Sequence, residues 1–258
     1  MKEFDPEKYK QMVRDHHERD DPLGWFDSIY SDAEGDHTAV FWADLVPNPY
    51  LLDWLEKNPV AWLKKKAIAI GCGVGDDAEA MAAAGYEVTA FDIAPSAISL
   101  CQNRYPNTKV NYLVADLFAY PKEWAQDYDL VYECNTIQVL PGKYRRDAMD
   151  AMVSLMSDEG ALLVSCRSRN SGEELDTIPL PLDKKEIDGF MNFGVHQKSF
   201  LAYDDDQEPS VPHFFATYSR ERRKRERNNL SRMIITLVNQ NFLVGSDKIS
   251  FQCSSEAF

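Results

Sequence analysis

The sequence lacks the features that mark membrane and nucleic-acid-binding proteins. No apolar run approaches the ~20 residues needed to span a bilayer, and the N-terminus, MKEFDPEKYK, has no apolar signal core. Positive charge is also in short supply, because 28 Lys and Arg face 42 Asp and Glu, which gives a net charge of −14. General nucleic-acid binders need a positive surface for phosphates, so this balance argues against that class.

Cysteine is scarce and irregularly spaced. The five cysteines show no C-x-x-C pattern, and several lie in apolar runs, which favours buried, reduced thiols in a reducing compartment. The histidines His16, His17 and His213 lack companions at metal-ligand spacing, so no metal is predicted. We therefore expect a soluble, cytoplasmic protein without a membrane span, a metal ion or a nucleic-acid partner.

From Lys66 onward, apolar strand-like runs alternate with helix-like segments. The predicted strands are 67–70, 88–91, 110–114, 130–132 and 161–166, and the predicted helices between them are 77–84, 95–105 and 144–156. The last of these helices ends at SDEG, which predicts a turn, and a further helix is predicted over 184–193. Two further runs, 197–203 and HFFATYS, flank an acidic turn and predict an antiparallel hairpin at the sheet edge. The pattern predicts a doubly wound, Rossmann-like α/β fold with a seven-stranded, mostly parallel sheet and helices on both faces.

Two segments flank this core, which we place at 63–219. Residues 1–62 predict helices at 6–19 and 49–63, separated by an aromatic segment, 23–45, that is interpreted as a lid. Residues 220–258 form a basic and then apolar extension. Its basic run, RERRKRER, indicates either a solvated helix start, which we favour, or a contact with nucleic acid or acidic membrane. Its apolar part packs on the domain or on a second subunit, which leaves a homodimer open.

The stretch AIAIGCGVGDD places a glycine loop between the first strand and the next helix. Such a loop lets a ligand approach bare backbone at the carboxyl end of the sheet. Gly71, Gly73 and Gly75 are present, but Asp76 stands where the third glycine of the dinucleotide fingerprint would fall. Asp76 and Asp77 cap the helix and repel a pyrophosphate. The loop therefore suits a ligand that has no phosphate and carries positive charge.

Two more acids follow the next two predicted strands. Asp92, in VTAFDIAPSAI, comes about 20 residues after the loop, where an acid hydrogen-bonds ribose hydroxyls. Asp116, in VADLF, ends the third strand, within reach of an adenine amino group. Each signal is weak alone, but three at successive strand ends predict a site for an adenosine-bearing ligand.

At this point the chain resembles a class I S-adenosylmethionine-dependent methyltransferase, roughly from Leu51 to Ser219. The matching pieces are IAIGCGVGDD, VTAFDIAPSAI, YLVADLF, YDLVYECNTIQVLP and SDEGALLVSCR. The resemblance implies S-adenosyl-L-methionine as the cofactor and a set of residues that contact it. These are Gly71, Cys72, Gly73, Gly75 and Asp76 around the methionine moiety, Asp92 on the ribose, Ile93, Asp116 and Leu117 on the adenine, and Glu133 beside the cofactor and the acceptor.

One position departs from the family pattern. The family often has an acid two residues before the first glycine, and this chain has Ala69. Part of the cofactor-anchoring role must then fall to backbone carbonyls, Asp76 or Glu133. A second feature, VPNPY with Asn48, looks like the catalytic loop of amino-methylating nucleic-acid enzymes, but it precedes the first strand and is interpreted as a helix start.

Within the class, the pattern is most similar to the thiopurine, tellurite-resistance and halide/thiol methyltransferases, which implies a small, soft methyl acceptor. Glu133, Asp27 and His37 are the candidate catalytic groups, and a contact to the cofactor ammonium is the alternative for Glu133. The candidate acceptor-binding residues are Trp25, Tyr30, Trp42, Asn135 and Arg167. Core packing remains the alternative for the aromatic residues, and simple solvation for His37 and Arg167.

Two other functions stay open at this level. A nicotinamide-dependent oxidoreductase can use the same kind of sheet, although the glycine spacing and the two aspartates of the loop argue against it. A non-catalytic module that binds S-adenosylmethionine, or docks a partner through the basic tail, is the second alternative.

Overall fold

A computed structural model describes residues 6–19, 21, 23–60, 64–140, 142–173 and 179–220. The predicted extension lies outside these residues from position 221 onward, and so does any subunit contact made through it. The helices are α1 Pro6–Glu18, α2 Trp25–Ser31, α3 Pro49–Lys57, α4 Asp76–Ala83, α5 Pro95–Arg104, α6 Gly142–Leu155 and α7 Lys184–Ile187. The strands are β1 Lys66–Ile70, β2 Glu87–Asp92, β3 Asn111–Val114, β4 Tyr128–Cys134, β5 Met156–Arg167, β6 Val195–Asp204 and β7 Pro212–Arg220.

The strands form one seven-stranded sheet in the order β3-β2-β1-β4-β5-β7-β6. Strands β1 to β5 pair in parallel, whereas β7 is antiparallel to both β5 and β6. This arrangement confirms the predicted Rossmann-like sheet with its antiparallel edge hairpin. The chain winds outward to β3 and then returns to place β4 beside β1, so the switch point lies between β1 and β4. In open α/β sheets, ligands bind at the carboxyl ends of the strands at this point.

Both faces of the sheet are covered, as the sequence predicts. Alternation along β1 sends Ile68 and Ile70 into one apolar cluster and Ala67 and Ala69 into another. The first cluster is completed by α6 side chains, and the second by side chains from the N-terminal half. Those helix residues are Ala148, Met149 and Met152 on the first face, and Leu51, Met81 and Cys101 on the second.

Two local features differ from the sequence prediction. The segment SDEG, predicted as a turn, lies inside β5 as an irregularity, because Met156 pairs with Tyr128 while Ala161 pairs with Leu130. Four residues on β5 thus face a single residue on β4. The helix predicted over 184–193 is α-helical only to Ile187 and continues as a 3-10 helix to Phe193, where Gly194 ends it in a left-handed conformation.

The N-terminal segment packs onto the glycine loop. The segment 23–45 contains α2 and a one-turn 3-10 helix at His37–Ala39. Its Tyr30 and Val40 share an apolar cluster with Val74 of the loop and Ala94 after β2. VPNPY begins α3 as predicted, with Asn48 as the N-cap and Pro49 in the first turn. None of the described helices is long and apolar enough to cross a membrane.

Candidate active site

The glycine loop follows β1 and needs all three glycines. Gly71, Gly73 and Gly75 have φ values of +60°, +54° and +95°, a region that side chains other than glycine rarely adopt. Space is also short, because a Cβ at Gly71 would lie 2.4 Å from Thr136 Oγ1, and one at Gly75 would lie 2.5 Å from the Tyr112 hydroxyl. The loop therefore presents backbone, not side chains, at the switch point of the sheet.

Asp92 ends β2 and is held directly against this loop. Its Oδ2 accepts a hydrogen bond from the Gly73 N–H at 3.0 Å, and its Oδ1 accepts one from the Ala94 N–H at 3.0 Å. Burial raises the pKa of Asp92 to about 6, although these N–H groups lower it. The neighbouring Ile93 is half-buried. Asp92 is thus a buried carboxylate that is fixed between the loop and the start of α5.

Asp76 and Asp77, the two acids after the loop, have different surroundings. Asp76 forms a two-pronged ion pair with Arg104, with both N···O distances at 2.7 Å. Asp77 is half-buried, accepts a hydrogen bond from Tyr132 Oη at 3.0 Å, and has a pKa raised to about 6, mainly by desolvation. Tyr132 is the partner of Ala69 in the sheet, and both belong to one apolar cluster. A carboxylate therefore lies near the face where the family often has an acid at position 69.

The end of β3 supplies the next pair of residues. Asp116 caps a one-turn 3-10 helix by accepting a hydrogen bond from the Phe118 N–H through Oδ1 at 2.8 Å. Leu117 is buried in the core cluster on the α6 side of the sheet. The capping bond uses Oδ1 of Asp116, and Oδ2 has no hydrogen bond with the described residues. Asp116 lies at the same edge of the sheet as Asp92.

The loop after β4 contains the two unsatisfied acceptors of the site. Asn135 adopts a left-handed conformation with φ of +60°, which is uncommon for a side-chain-bearing residue and is found often at functional sites. Its N–H donates to Ser165 O at 2.8 Å, whereas its buried Oδ1 has no hydrogen-bond partner among the described residues. Buried polar atoms are normally paired, so a lone acceptor here points to a ligand.

Glu133 lies just before it and is fully buried. Its Oε2 accepts hydrogen bonds from the N–H groups of Thr136 and Ile137, at 3.1 and 3.2 Å, while Oε1 has no partner among the described residues. Burial raises the pKa of Glu133 to about 8 against the effect of those two N–H groups. The Thr136 hydroxyl in turn donates to Ile70 O at 3.1 Å. Glu133 therefore ties the loop after β4 to the end of β1.

The aromatic segment 23–45 covers the loop. Tyr30 is buried beside Gly73 and accepts a hydrogen bond from Trp42 Nε1 at 3.2 Å. Trp25 has no exposed surface and stacks on Phe26 at 3.8 Å between ring centroids, so it contributes packing. Asp27 accepts a hydrogen bond from the Ser96 N–H at 2.8 Å and joins α2 to α5. This contact accounts for Asp27 without proton transfer.

His37 and Cys72 occupy the margins of this arrangement. His37 begins the 3-10 turn beside the exposed Asp36, and no hydrogen bond joins its side chain to the described strand ends. Cys72 follows Gly71, and its N–H donates to Phe91 O at 3.0 Å, which fixes the loop against β2. A hydrogen bond with the Cys101 thiol, together with burial, keeps the pKa of Cys72 well above its usual value.

Arg167 ends β5, and the residues near it were not predicted from the sequence. Burial raises the pKa of Tyr9 in α1, and the positive charge of Arg167 partly opposes this rise. Tyr9 packs edge-on against Trp25 and Phe41, with centroids 5.6 and 5.5 Å apart. Arg167 also lowers the pKa of Asp44, which desolvation raises. The polar helix α1 gave no sign of these contacts in its sequence, because they depend on how α1 packs against the segment 23–45.

A family model described as a methyltransferase domain matches residues 67–160. Residues 67–160, which run from β1 into β5, are thus similar to a methyltransferase domain. Ubiquinone biosynthesis O-methyltransferase from Aromatoleum aromaticum is 29% identical over 125 residues, which is 48% of this chain and 52% of that protein. The enzyme of the same name from Erwinia tasmaniensis is 27% identical over 133 residues, or 51% of this chain and 54% of that protein. The chain thus spans about half the length of these curated relatives.

Solved structures extend the likeness of the methyltransferase domain to most of the chain. A 1,6-didemethyltoxoflavin-N1-methyltransferase from Burkholderia thailandensis, solved with S-adenosylhomocysteine, has a TM-score of 0.61 at 13% identity and covers 86% of this chain and 93% of its own. A TehB-like methyltransferase from Corynebacterium glutamicum has a TM-score of 0.54 at 17% identity and covers 74% of this chain and 100% of its own. At these identities the likeness shows the fold alone.

The comparisons confirm the class of the predicted resemblance but not its subgroup. The curated relatives named here are O-methyltransferases, whereas the TehB-like protein shares only the fold. Among the described residues, no group of three His, Cys, Asp or Glu side chains is arranged to hold a metal ion.

Proposed function

We propose that the chain transfers a methyl group from S-adenosyl-L-methionine to a small-molecule acceptor. The observation that supports it most strongly is the order of groups along four neighbouring strand ends. Positive-φ glycines follow β1, buried Asp92 ends β2, Asp116 follows β3, and the strained Asn135 follows β4. A cofactor that carries adenosine and methionine but no phosphate needs such a series of groups, and the acids of the loop would repel a pyrophosphate.

Each part of the cofactor has a proposed partner. Asp92 accepts from the ribose hydroxyls, and Ile93 and Leu117 enclose the adenine, whose amino group donates to Asp116. Because Asp76 is paired with Arg104, we assign the cofactor ammonium to loop carbonyls and to the unpaired Oδ1 of Asn135. The two N–H bonds that Glu133 accepts favour a positioning role for it over direct proton transfer.

The reaction is an in-line displacement at the methyl carbon. A lone pair of the acceptor forms the new bond while the carbon–sulfur bond breaks and its electrons remain on sulfur, so the positive charge of the sulfonium disappears. The protein aligns the two reactants, and such alignment is worth roughly 7–11 kcal/mol in well-oriented systems. The segment 23–45 excludes water from the strand ends, which strengthens the electrostatic interactions in the site.

We propose one methyl donor but several classes of acceptor atom. A thiol, a selenium or tellurium species or a halide reacts without a general base when it is already deprotonated, which suits the subgroup resemblance. The names of the curated relatives add an oxygen acceptor, which must lose a proton. Within the described residues, Asp27 is held by Ser96 and His37 lies beside Asp36, so neither is favoured as the base.

Calorimetry of the purified chain tests the cofactor assignment. We expect S-adenosylmethionine and S-adenosylhomocysteine to bind and NAD(H) not to bind, because Asp76, held by Arg104, stands where the third glycine of the dinucleotide fingerprint would fall. Asp92→Ala should abolish binding, since it removes the buried acceptor held by Gly73 and Ala94. The control, Asp36→Ala, removes an exposed carboxylate that caps only its own turn and should bind normally.

Two results would contradict the assignment. Tight binding of NAD(H) with no binding of the S-adenosyl compounds would support a nicotinamide-dependent oxidoreductase. Equal losses of binding in the Asp92 and Asp36 variants would show that Asp92 does not contact the cofactor.

A further inference from the structure

A cavity of about 600 Å³ lies at the carboxyl end of β5, within the size range of small-molecule sites. Its lining includes Arg167 and Ser168 from the end of β5, Tyr203 and Asp204 from β6, and His213 and Phe214 from β7. Arg167 and His213 are direct partners across β5 and β7. The Tyr203 and His213 rings stack with centroids 5.4 Å apart, which gives the cavity one flat aromatic wall.

Arg167 is the charged group of this cavity that lies nearest to the end of β4. Strand β5 is the neighbour of β4, whereas β6, which carries Asp204, is two strands further out. Two residues before Arg167, the carbonyl of Ser165 accepts the Asn135 N–H. A ligand held by Arg167 would therefore extend toward Asn135, where the proposed cofactor would present its methyl group.

The Arg167 guanidinium has no hydrogen bond or ion pair with the described residues. Its bonds are made by the backbone, where the N–H donates to Gln138 Oε1 and the carbonyl accepts from the Leu182 N–H. Arg169, which lines the same cavity, is instead fully engaged by Glu186, Asp183 and Pro181 O. The acids Glu173 and Asp204 also line the cavity, and Glu173 accepts the Asn170 N–H. Further charged groups near Arg167 are Asp44, which is exposed, and His213 with its neighbour Asp205. Asp205 accepts two backbone N–H groups, from Gln207 and Val211. Arg167 thus lines the cavity with a guanidinium whose five N–H donors form no hydrogen bond with a described carboxylate.

We infer that the methyl acceptor is an aromatic anion whose carboxylate, or a similar oxyanion, is bound by Arg167 in this cavity. The inference rests on the proposed methyltransferase function, because it places the acceptor between Arg167 and the methyl donor. The planar guanidinium matches a carboxylate with two parallel hydrogen bonds. The stacked wall of Tyr203 and His213 suits a ring on the same ligand.

Binding of matched probes to the chain saturated with S-adenosylhomocysteine tests the inference. The probes are 3,4-dihydroxybenzoate, its neutral amide 3,4-dihydroxybenzamide, and the cation 3,4-dihydroxybenzylamine, which differ mainly in the charge of one substituent. We expect the carboxylate to bind at least tenfold more tightly than the amide, as is typical of a hydrogen-bonded charge pair. Arg167→Gln should remove that preference, and Arg167→Lys should keep only part of it.

Arg146→Gln is the matched control. Arg146 is exposed on α6 and lies over the Phe193 ring at 5.4 Å, so its loss changes the net charge equally and should leave the preference intact. The affinity for S-adenosylhomocysteine should be the same in all four proteins, which shows that the variants are folded.

The outcomes separate this inference from the proposed function. If the homocysteine product does not bind the wild-type chain, the proposed function fails. If it binds, but the carboxylate shows no preference, the benzylamine binds best, or no probe binds at millimolar concentration, the inference about Arg167 is wrong and the proposed function stands. An equal loss in the Arg146 and Arg167 variants would also overturn it.

Discussion

At the scale of single residues, the contacts of Glu133 differ from those that its position in the sequence suggests. The sequence places an acid at the end of the fourth strand, next to the expected methyl group, and that position suggests a base. In the structure, one carboxylate oxygen accepts N–H groups from Thr136 and Ile137 while the other is buried without a partner among the described residues. Such contacts arise from the loop conformation, which the sequence pattern does not specify.

The raised pKa of Glu133 predicts how the free energy of unfolding depends on pH. Its pKa is about 8 in the folded chain against an ordinary value of 4.5, so the folded state holds a proton that the unfolded state releases. The free energy of unfolding should therefore fall as the pH rises from about 4.5 to about 8, by up to ~1.4 kcal/mol per pH unit. Asp77 and Asp92 act in the same direction, but only up to about pH 6.

Glu133→Gln should consequently flatten the stability profile between pH 6 and 8, as measured by denaturant unfolding at several pH values. The control is Glu56→Gln, which changes an exposed carboxylate on α3 and should keep the wild-type slope. A Glu133→Gln profile as steep as that of the wild type would show that the carboxyl group titrates normally in the folded state. The prediction concerns only the slope of the unfolding free energy against pH, so it can be tested whatever the absolute stability of the variant.

At the scale of elements, strand ends were predictable and their local irregularities were not. Periodicity in the sequence predicts the strands and places Gly71, Asp92 and Asp116 at their ends, because strand and helix patterns differ in period. The bulge at SDEG was not predictable, since it depends on how β5 pairs with Tyr128 and Leu130 of β4. The capping role of Asn48 was predictable, but its bond to Ser165 Oγ at 3.1 Å, which joins α3 to the end of β5, was not.

The glycine loop and the loop after β4 make a second prediction. Gly71→Ala would place a methyl group 2.4 Å from Thr136 Oγ1, and moving that hydroxyl would break its bond to Ile70 O. Gly35→Ala is a matched control, because Gly35 also has a positive φ but has nothing within 4 Å of an added Cβ. The control should lose only the backbone term of about 1–2 kcal/mol.

We therefore expect Gly71→Ala to lose more unfolding free energy than Gly35→Ala and to lose S-adenosylhomocysteine binding, whereas Gly35→Ala should keep it. Thermal unfolding and calorimetry measure both effects. Similar losses in the two variants would mean that backbone strain alone limits position 71 and that contact with Thr136 is unimportant.

At the scale of the whole molecule, the sheet was predictable and the covering of the site was only partly so. Alternation of strands and helices specifies the order of winding, and the comparisons confirm the fold. The segment 23–45 was expected to act as a lid, yet its contacts with Gly73 through Tyr30 and with α5 through Asp27 depend on tertiary packing. Arg167 is close enough to Tyr9 to affect its pKa although the two residues are far apart in the sequence, and local sequence patterns carry no information about this.

The structure gives the first residue of the basic run, Arg220, a role inside the domain. Arg220 donates hydrogen bonds to Val153 O at 2.7 Å and to Met156 O at 3.2 Å, so its guanidinium binds the carbonyl groups where α6 ends. The first positive charge of the run is thereby used inside the domain. The remaining charges, from 222 to 227, lie outside the described residues, and a nucleic-acid or membrane contact through them stays a prediction.

The most direct test of the central claim is transfer of a labelled methyl group from S-adenosylmethionine by the purified chain. The acceptor panel should contain thiols, halides, phenols and amines, together with aromatic carboxylates. We predict that label appears in at least one acceptor and that Asp92→Ala abolishes the transfer while Asp36→Ala retains it. A panel that stays unlabelled although the cofactor binds would contradict the account and would favour a non-catalytic S-adenosylmethionine-binding module.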